Sequence, residues 1–151
     1  MINMELLVTV IARGVFGLFA AVVLSMVIWS FFWVTFRPSS EELASFFLLQ
    51  TLIVGIPAGL AVIFAWWNTQ SSQRIQLMFI ALALFASVIG AWGTNELRGV
   101  ETHYALVNGV LRVPVFSIRH MLASMLFGAV LGGNFVAGAF FLCRSLKYRE
   151  N

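Results

Sequence analysis

The chain has 151 residues, 61% hydrophobic and 10% charged, with a mean hydropathy of +0.96. A soluble domain of this size could not hide so much apolar surface, so the composition excludes a water-soluble enzyme or binding module and implies one membrane domain over residues 1–151. The net charge of +3 comes without a basic cluster interleaved with aromatics, which argues against nucleic acid and makes lipid the natural contact of the basic residues.

Four apolar stretches, Leu6–Phe36, Leu43–Trp67, Ile75–Asn95 and Met121–Cys143, are each about long enough to cross a bilayer as a helix. The first lacks the basic n-region and small-residue cleavage site of a signal peptide and reads as a true span. Arg13 lies about two turns inside it. A charge at bilayer depth is costly, but near a span end the long side chain can reach the headgroups. Gly17, Ala21 and Ser25 repeat at four-residue spacing, and Trp29 and Trp33 mark the far end. Arg37-Pro38 stops the helix, since proline cannot continue the ladder. Ser39 and Glu42 then stand at capping-box spacing for the second helix.

The second span carries Gln50 early and Gly55-Ile56-Pro57-Ala58-Gly59 in its middle. Pro57 removes one helical hydrogen bond and should kink the helix. The span closes on Trp66-Trp67, and a polar turn, residues 68–74, leads into the third. There Ala86, Gly90 and Thr94 repeat the small-residue spacing, and Trp92 lies near the end. All five tryptophans fall near span ends, where an indole prefers the headgroup level.

Between the third and fourth spans, Thr102–Val107 and Val110–Val115 flank Asn108-Gly109, the strongest short signal for a β-hairpin. Strict alternation would put Tyr104, Leu106, Leu111, Val113 and Val115 on one apolar face. An isolated hairpin is marginal in water, so that face should dock on something: Tyr104, Leu106, Leu111 and Val113 are the expected partner-docking residues. His120 heads the fourth span. Within it Ser124, Gly128 and Gly132 form one small stripe, and Ala129, Gly133 and Ala137 an adjacent one. Small residues let backbones approach closely where lipid provides no hydrophobic drive. Internal bundle packing is the first reading of these stripes; since one suffices inside a four-helix bundle, the second also suggests a seat for a partner helix. Asn134 lies mid-span and, like Gln50, must be hydrogen-bonded inside the membrane.

The chemistry is mostly subtractive. The chain has no Asp and no mid-span Glu, so the embedded carboxylate of a small multidrug exporter is missing. His103 and His120 are the only histidines and cannot supply paired haem ligands from facing spans; His120 alone is a candidate single metal ligand, and no cofactor is expected. Cys143 is a lone thiol. No serine-histidine-acid set or phosphate loop occurs.

The expected fold is therefore an all-α, integral membrane four-helix transmembrane bundle with a short extramembrane β-hairpin between helices 3 and 4. Gly17, Ala21, Ser25, Gly55, Gly59, Ala86, Gly90, Gly128, Gly132, Gly133 and Ala137 are its expected packing residues, and Arg13, Arg144, Lys147 and Arg149 its expected headgroup contacts. Arg13, Arg74, Arg144, Lys147 and Arg149 share one side, against Arg37, Arg98, Arg112 and Arg119 on the other. This excess favours both termini in the cytoplasm, as for a bacterial inner-membrane protein. The expected role is a non-catalytic subunit of a larger membrane complex, with other membrane subunits and lipid as partners. The alternatives are a small homo-oligomeric channel or carrier, supported by Gly55–Gly59 and Asn134, and a lipid-binding or lipid-modifying enzyme using Arg13.

Overall fold

A computed structural model describes residues 4–37, 47–67, 72–98, 102–107, 110–116 and 118–147. The elements, in chain order, are helices α1 (Met4–Phe36), α2 (Phe47–Trp66) and α3 (Gln73–Arg98), strands β1 (Thr102–Val107) and β2 (Val110–Phe116), and helix α4 (Ile118–Lys147). All four helices are long and apolar enough to span a membrane. They differ from the expected spans at their ends. α1 begins at Met4 rather than Leu6, α3 runs from Gln73 to Arg98, and α4 extends from Ile118 to Lys147. A helix outlasts its apolar stretch because the ladder still closes where polar side chains meet water. The expected second span began at Leu43; residues 38–46, with Ser39 and Glu42, lie outside the described residues, and α2 is described from Phe47.

The helices run antiparallel to their neighbours in sequence. α2 and α4 each pack against all three other helices, and α1 and α3 flank that pair. α2 is the inner helix: 56% of its most apolar window is buried, against 17% for α1. The centre is filled by Val54, Ala58, Val62, Ala83, Met125 and Ala129. α1 joins it along one stripe, Gly17, Ala21 and Ser25, and exposes Phe19, Val27, Phe31 and Val34. Outward apolar side chains are what a lipid-facing helix presents.

α1 ends on Arg37, which adopts a left-handed backbone (φ 42°) and donates its N–H to the Trp33 carbonyl at 2.9 Å. That closes the helix by the common left-handed cap, with an arginine where glycine is usual. α2 continues through Pro57, which is buried with Gly55, Ala58 and Gly59. Methyl groups built on Gly55 and Gly59 would crowd Val88 and Leu84 of α3, so these glycines seat α3 closely.

The tightest seam joins α3 to α4. A methyl group on Gly90 would strike the Gly128 carbonyl, and one on Gly128 would strike that of Gly90. One on Gly132 would lie 2.7 Å from the Ala86 carbonyl oxygen. Thr94 Oγ lies 2.7 Å from the carbonyls of Gly90 and Ser124, so its single hydroxyl proton is shared between its own helix and α4.

The second stripe of α4 also lies inside the bundle. Ala129, Gly133 and Ala137 are buried, and a methyl on Gly133 would meet Ser87 of α3 and Val62 of α2. That stripe is filled from within the bundle, because α4 has neighbours on more than one side.

Between α3 and α4, β1 and β2 pair antiparallel, with Val107 opposite Val110, Leu106 opposite Leu111 and Ala105 opposite Arg112. The register then shifts at Tyr104/Ala105, and Tyr104 pairs with Pro114. Val113 is the extra residue. A bulge of this kind breaks the period-two alternation, so the simple face expected through Val113 and Val115 does not run along β2. Asn108-Gly109 and the side chains of Tyr104, Leu106, Leu111, Val113 and His120 lie outside what is described.

Candidate functional site

α2 ends at Trp66, and beside that end the described residues form an arrangement of charge and cavity that could hold a ligand. Arg13 of α1 reaches the Trp67 carbonyl, yet α1 starts about two and a half turns earlier, at Met4. α3 starts about one and a half turns before Phe79, and α4 continues about as far past Phe141. α3 and α4 therefore outreach the described end of α2 and flank a cleft beside it. This shallow, open cleft is lined by Trp66, Trp67, Ile75, Gln76, Phe79, Phe140, Phe141 and Arg144.

Trp66 forms its floor and is 4% exposed. Its ring fits between two glycines: a methyl on Gly14 of α1 would lie 3.7 Å from it, and one on Gly138 of α4 3.4 Å. The indole Nε1–H donates to Asn134 Oδ1 at 3.0 Å, and the Asn134 amide donates to its own helix at Val130 O, 2.9 Å. Gly17 makes room for that carbonyl, since a methyl there would come within 2.6 Å of Oδ1. Asn134 thus ties α4 to α2 under α1. Trp66 lies at the span end as expected, and its indole turns inward to hydrogen-bond. Trp29 does the same at the other end: its Nε1–H donates to Gln50 Oε1 at 3.2 Å, with Gln50 only 1% exposed. A polar partner on a facing helix outcompetes the interface for these indoles.

The walls are aromatic. Phe141 lies 5.7 Å from Trp66 and Phe79 5.5 Å from Phe140, centroid to centroid. Arg13 crowns them. Its guanidinium carbon sits 5.0 Å from the Phe141 ring centroid, within cation–π range, and one N–H points to the Trp67 carbonyl at 3.4 Å. That long contact places positive charge at the negative end of the α2 dipole. Arg144 follows Phe141 by about one turn and lines the same cleft.

The fold thus gathers Arg13, Arg144 and the Asn134–Trp66 pair at one end, and keeps Gln50 near the other. The expected headgroup residue Arg149 and the Lys147 side chain lie outside the described residues. Sequence reasoning passed over Phe141, Gly14, Gly138 and Gln76; the pair Phe140-Phe141 one turn before Arg144 was the available signal. The described lining offers guanidinium, amide and aromatic groups and contains no carboxylate, thiol or imidazole. It can hold an anion or an apolar chain. Compared with family models, curated proteins and solved structures, the chain matches none.

Proposed function

We propose that this chain is a non-catalytic integral membrane subunit that acts by contact within a larger membrane assembly. The observation that carries this reading is the engagement of the in-membrane polar and small groups. Asn134 bonds Trp66, Gln50 bonds Trp29, Ser25 donates to the Val54 carbonyl at 3.0 Å, and Gly55 and Gly59 seat α3. The residues that would have favoured a channel or carrier are thus used to hold helices together. The lipid-modifying alternative would need a nucleophile or general acid beside Arg13, and the described cleft lining supplies neither. The paired strands between α3 and α4 are the proposed docking element, through Tyr104, Leu106 and Leu111. Both termini are proposed to lie in the cytoplasm of a bacterium, on the side of the basic tail.

The test is purification of the full chain from its own membrane without crosslinking, followed by flux measurement in vesicles. Foreign subunits in sub-stoichiometric or equal amounts, and silent vesicles, are expected. A lone homo-oligomer that conducts would reject the subunit reading. Leu106→Ser with Leu111→Ser should release the partners while leaving membrane insertion intact, since neither change touches a span.

A further inference from the structure

We infer that the first turns of α1, residues 4–12, are immersed in lipid hydrocarbon, so that the molecule meets the bilayer with a slanted apolar belt whose edge lies about two turns farther out on α1 than on α3 and α4. The inference does not rest on the subunit reading. Three observations carry it. The first is a difference in length. The Trp29–Gln50 bond sets one level shared by α1 and α2. Arg13 lies sixteen residues before Trp29 and Trp66 sixteen after Gln50, about 24 Å along each helix, and the contact of Arg13 with the Trp67 carbonyl closes the far level. α1 then runs on for nine residues, about 14 Å, to Met4.

The second observation is what stands at matched depth beyond that level. Ring contacts place Arg13, Phe79 and Phe141 close to one another in depth. Three residues farther out, α1 has Val10 where α3 has Gln76 and α4 has Arg144. Six residues out, α1 has Leu7 where α3 begins at Gln73 and α4 ends at Lys147. Here Met4, Leu7, Val8 and Ile11 are exposed, and Leu6 and Val10 are half-buried. A stable helix apolar on nearly every side needs apolar surroundings. Thr9 is the one polar residue between Glu5 and Arg13, and its hydroxyl donates to the Glu5 carbonyl at 2.8 Å, so it needs no water. The third observation is continuity, which makes lipid the cover. The outward row of Met4, Val8 and Ile11 runs on without a break into Val15, Leu18 and Val22 of the span proper. Arg13 does not oppose the slant, because its guanidinium turns to the Trp67 carbonyl and the Phe141 ring, on the side where the polar edge is near. From Leu6 to Trp29 α1 measures about 35 Å, which fits a hydrocarbon core of about 30 Å at a tilt of about 30°.

The test is thiol labelling of the purified full chain, alone in phosphatidylcholine nanodiscs, on a Cys143→Ser background. Single cysteines replace Leu7, Ile11 or Arg74, all exposed, so the substitutions leave the packing alone. Each rate with a charged, membrane-impermeant maleimide is divided by the rate of the same variant in denaturing detergent. In dioleoyl lipid Leu7→Cys and Ile11→Cys should react roughly tenfold more slowly than Arg74→Cys. In the thinner dimyristoleoyl lipid Leu7→Cys should speed up while Arg74→Cys stays fast. Equal rates for all three variants in dioleoyl lipid would overturn the proposal, since the segment would then stand in water. So would fast labelling of Leu7→Cys in nanodiscs together with protection in the native membrane, which would mark a partner protein as the cover. Slow labelling indifferent to lipid thickness would overturn it too, because cover by a second copy of the chain does not depend on acyl length.

Discussion

Between α3 and α4 the backbones themselves touch, at Gly90 and Gly128; between α1 and α2 side chains do the joining, through Ser25 to the Val54 carbonyl and Trp29 to Gln50. Both seams lack the hydrophobic drive that water would supply, so each needs another source of attraction. Glycine contact supplies dispersion over a broad surface and tolerates no added atom. Hydrogen bonds between helices are discrete, and in lipid each contributes about 0.6 kcal/mol on average. The first seam should therefore fail abruptly and the second by degrees.

The largest expected effect comes from Gly128→Ala. Its methyl lands on the Gly90 carbonyl and on Thr94, and backbone cannot rotate away. The loss should reach about 3 kcal/mol, the upper part of the overpacking range, read as a lower midpoint when heated detergent samples are passed over size exclusion. Gly133→Ala should cost only about 1 kcal/mol, because its methyl meets the Ser87 hydroxyl, which can turn. An equal or larger loss at Gly133 would show that backbone contact does not set the cost.

Next comes Asn134→Ala, which leaves the buried Trp66 N–H without its acceptor. A loss of about 1–2 kcal/mol is expected, together with a changed near-ultraviolet tryptophan dichroism. An unaltered spectrum would mean that Trp66 does not depend on Asn134 for its position. Ser25→Ala should cost about 0.6 kcal/mol in the same melt, and a loss as large as that of Gly128→Ala would erase the contrast between the seams. The smallest effect belongs to Ser87→Ala. The Ser87 hydroxyl is fully buried and has no hydrogen-bond partner among the described residues, so its removal should cost nothing measurable and should soften Gly133→Ala when the two are combined.

The four helices were legible because hydropathy over about 20 residues is a local property. Their pairing was less so. Gly90 and Gly128 stand out in sequence as members of small-residue repeats, but that they face one another follows only from the antiparallel stacking of α3 on α4. The indoles show the same limit. Trp66 carries every local mark of an interfacial residue, and its inward turn depends on Asn134, a residue far along the chain. The cleft was the least legible part. Arg13 and Arg144 were visible as basic residues at one end, yet nothing in either neighbourhood announces that Arg13 packs over Phe141 or that α3 and α4 outreach the end of α2. Strand register in the segment after α3 was misjudged at Val113 because alternation is a rule for regular strands, and a bulge is set by pairing.

The two indole hydrogen bonds also impose an order on synthesis. A chain emerges N-terminus first, so when α2 leaves the translocation machinery Gln50 already has Trp29 beside it on α1. Trp66 has no such partner until α4 brings Asn134. The first helical pair can settle as soon as it is made, whereas the end of α2 waits, its indole unanswered, through the insertion of α3 and the strands. α4 then acts as the closing piece: it completes the polar bond at Trp66 and brings Arg144 to the cleft in one step. A chain halted after α3 should accordingly keep the Trp29 end protected from a membrane-permeant label while leaving the Trp66 end open, and equal protection at both ends would refute that order.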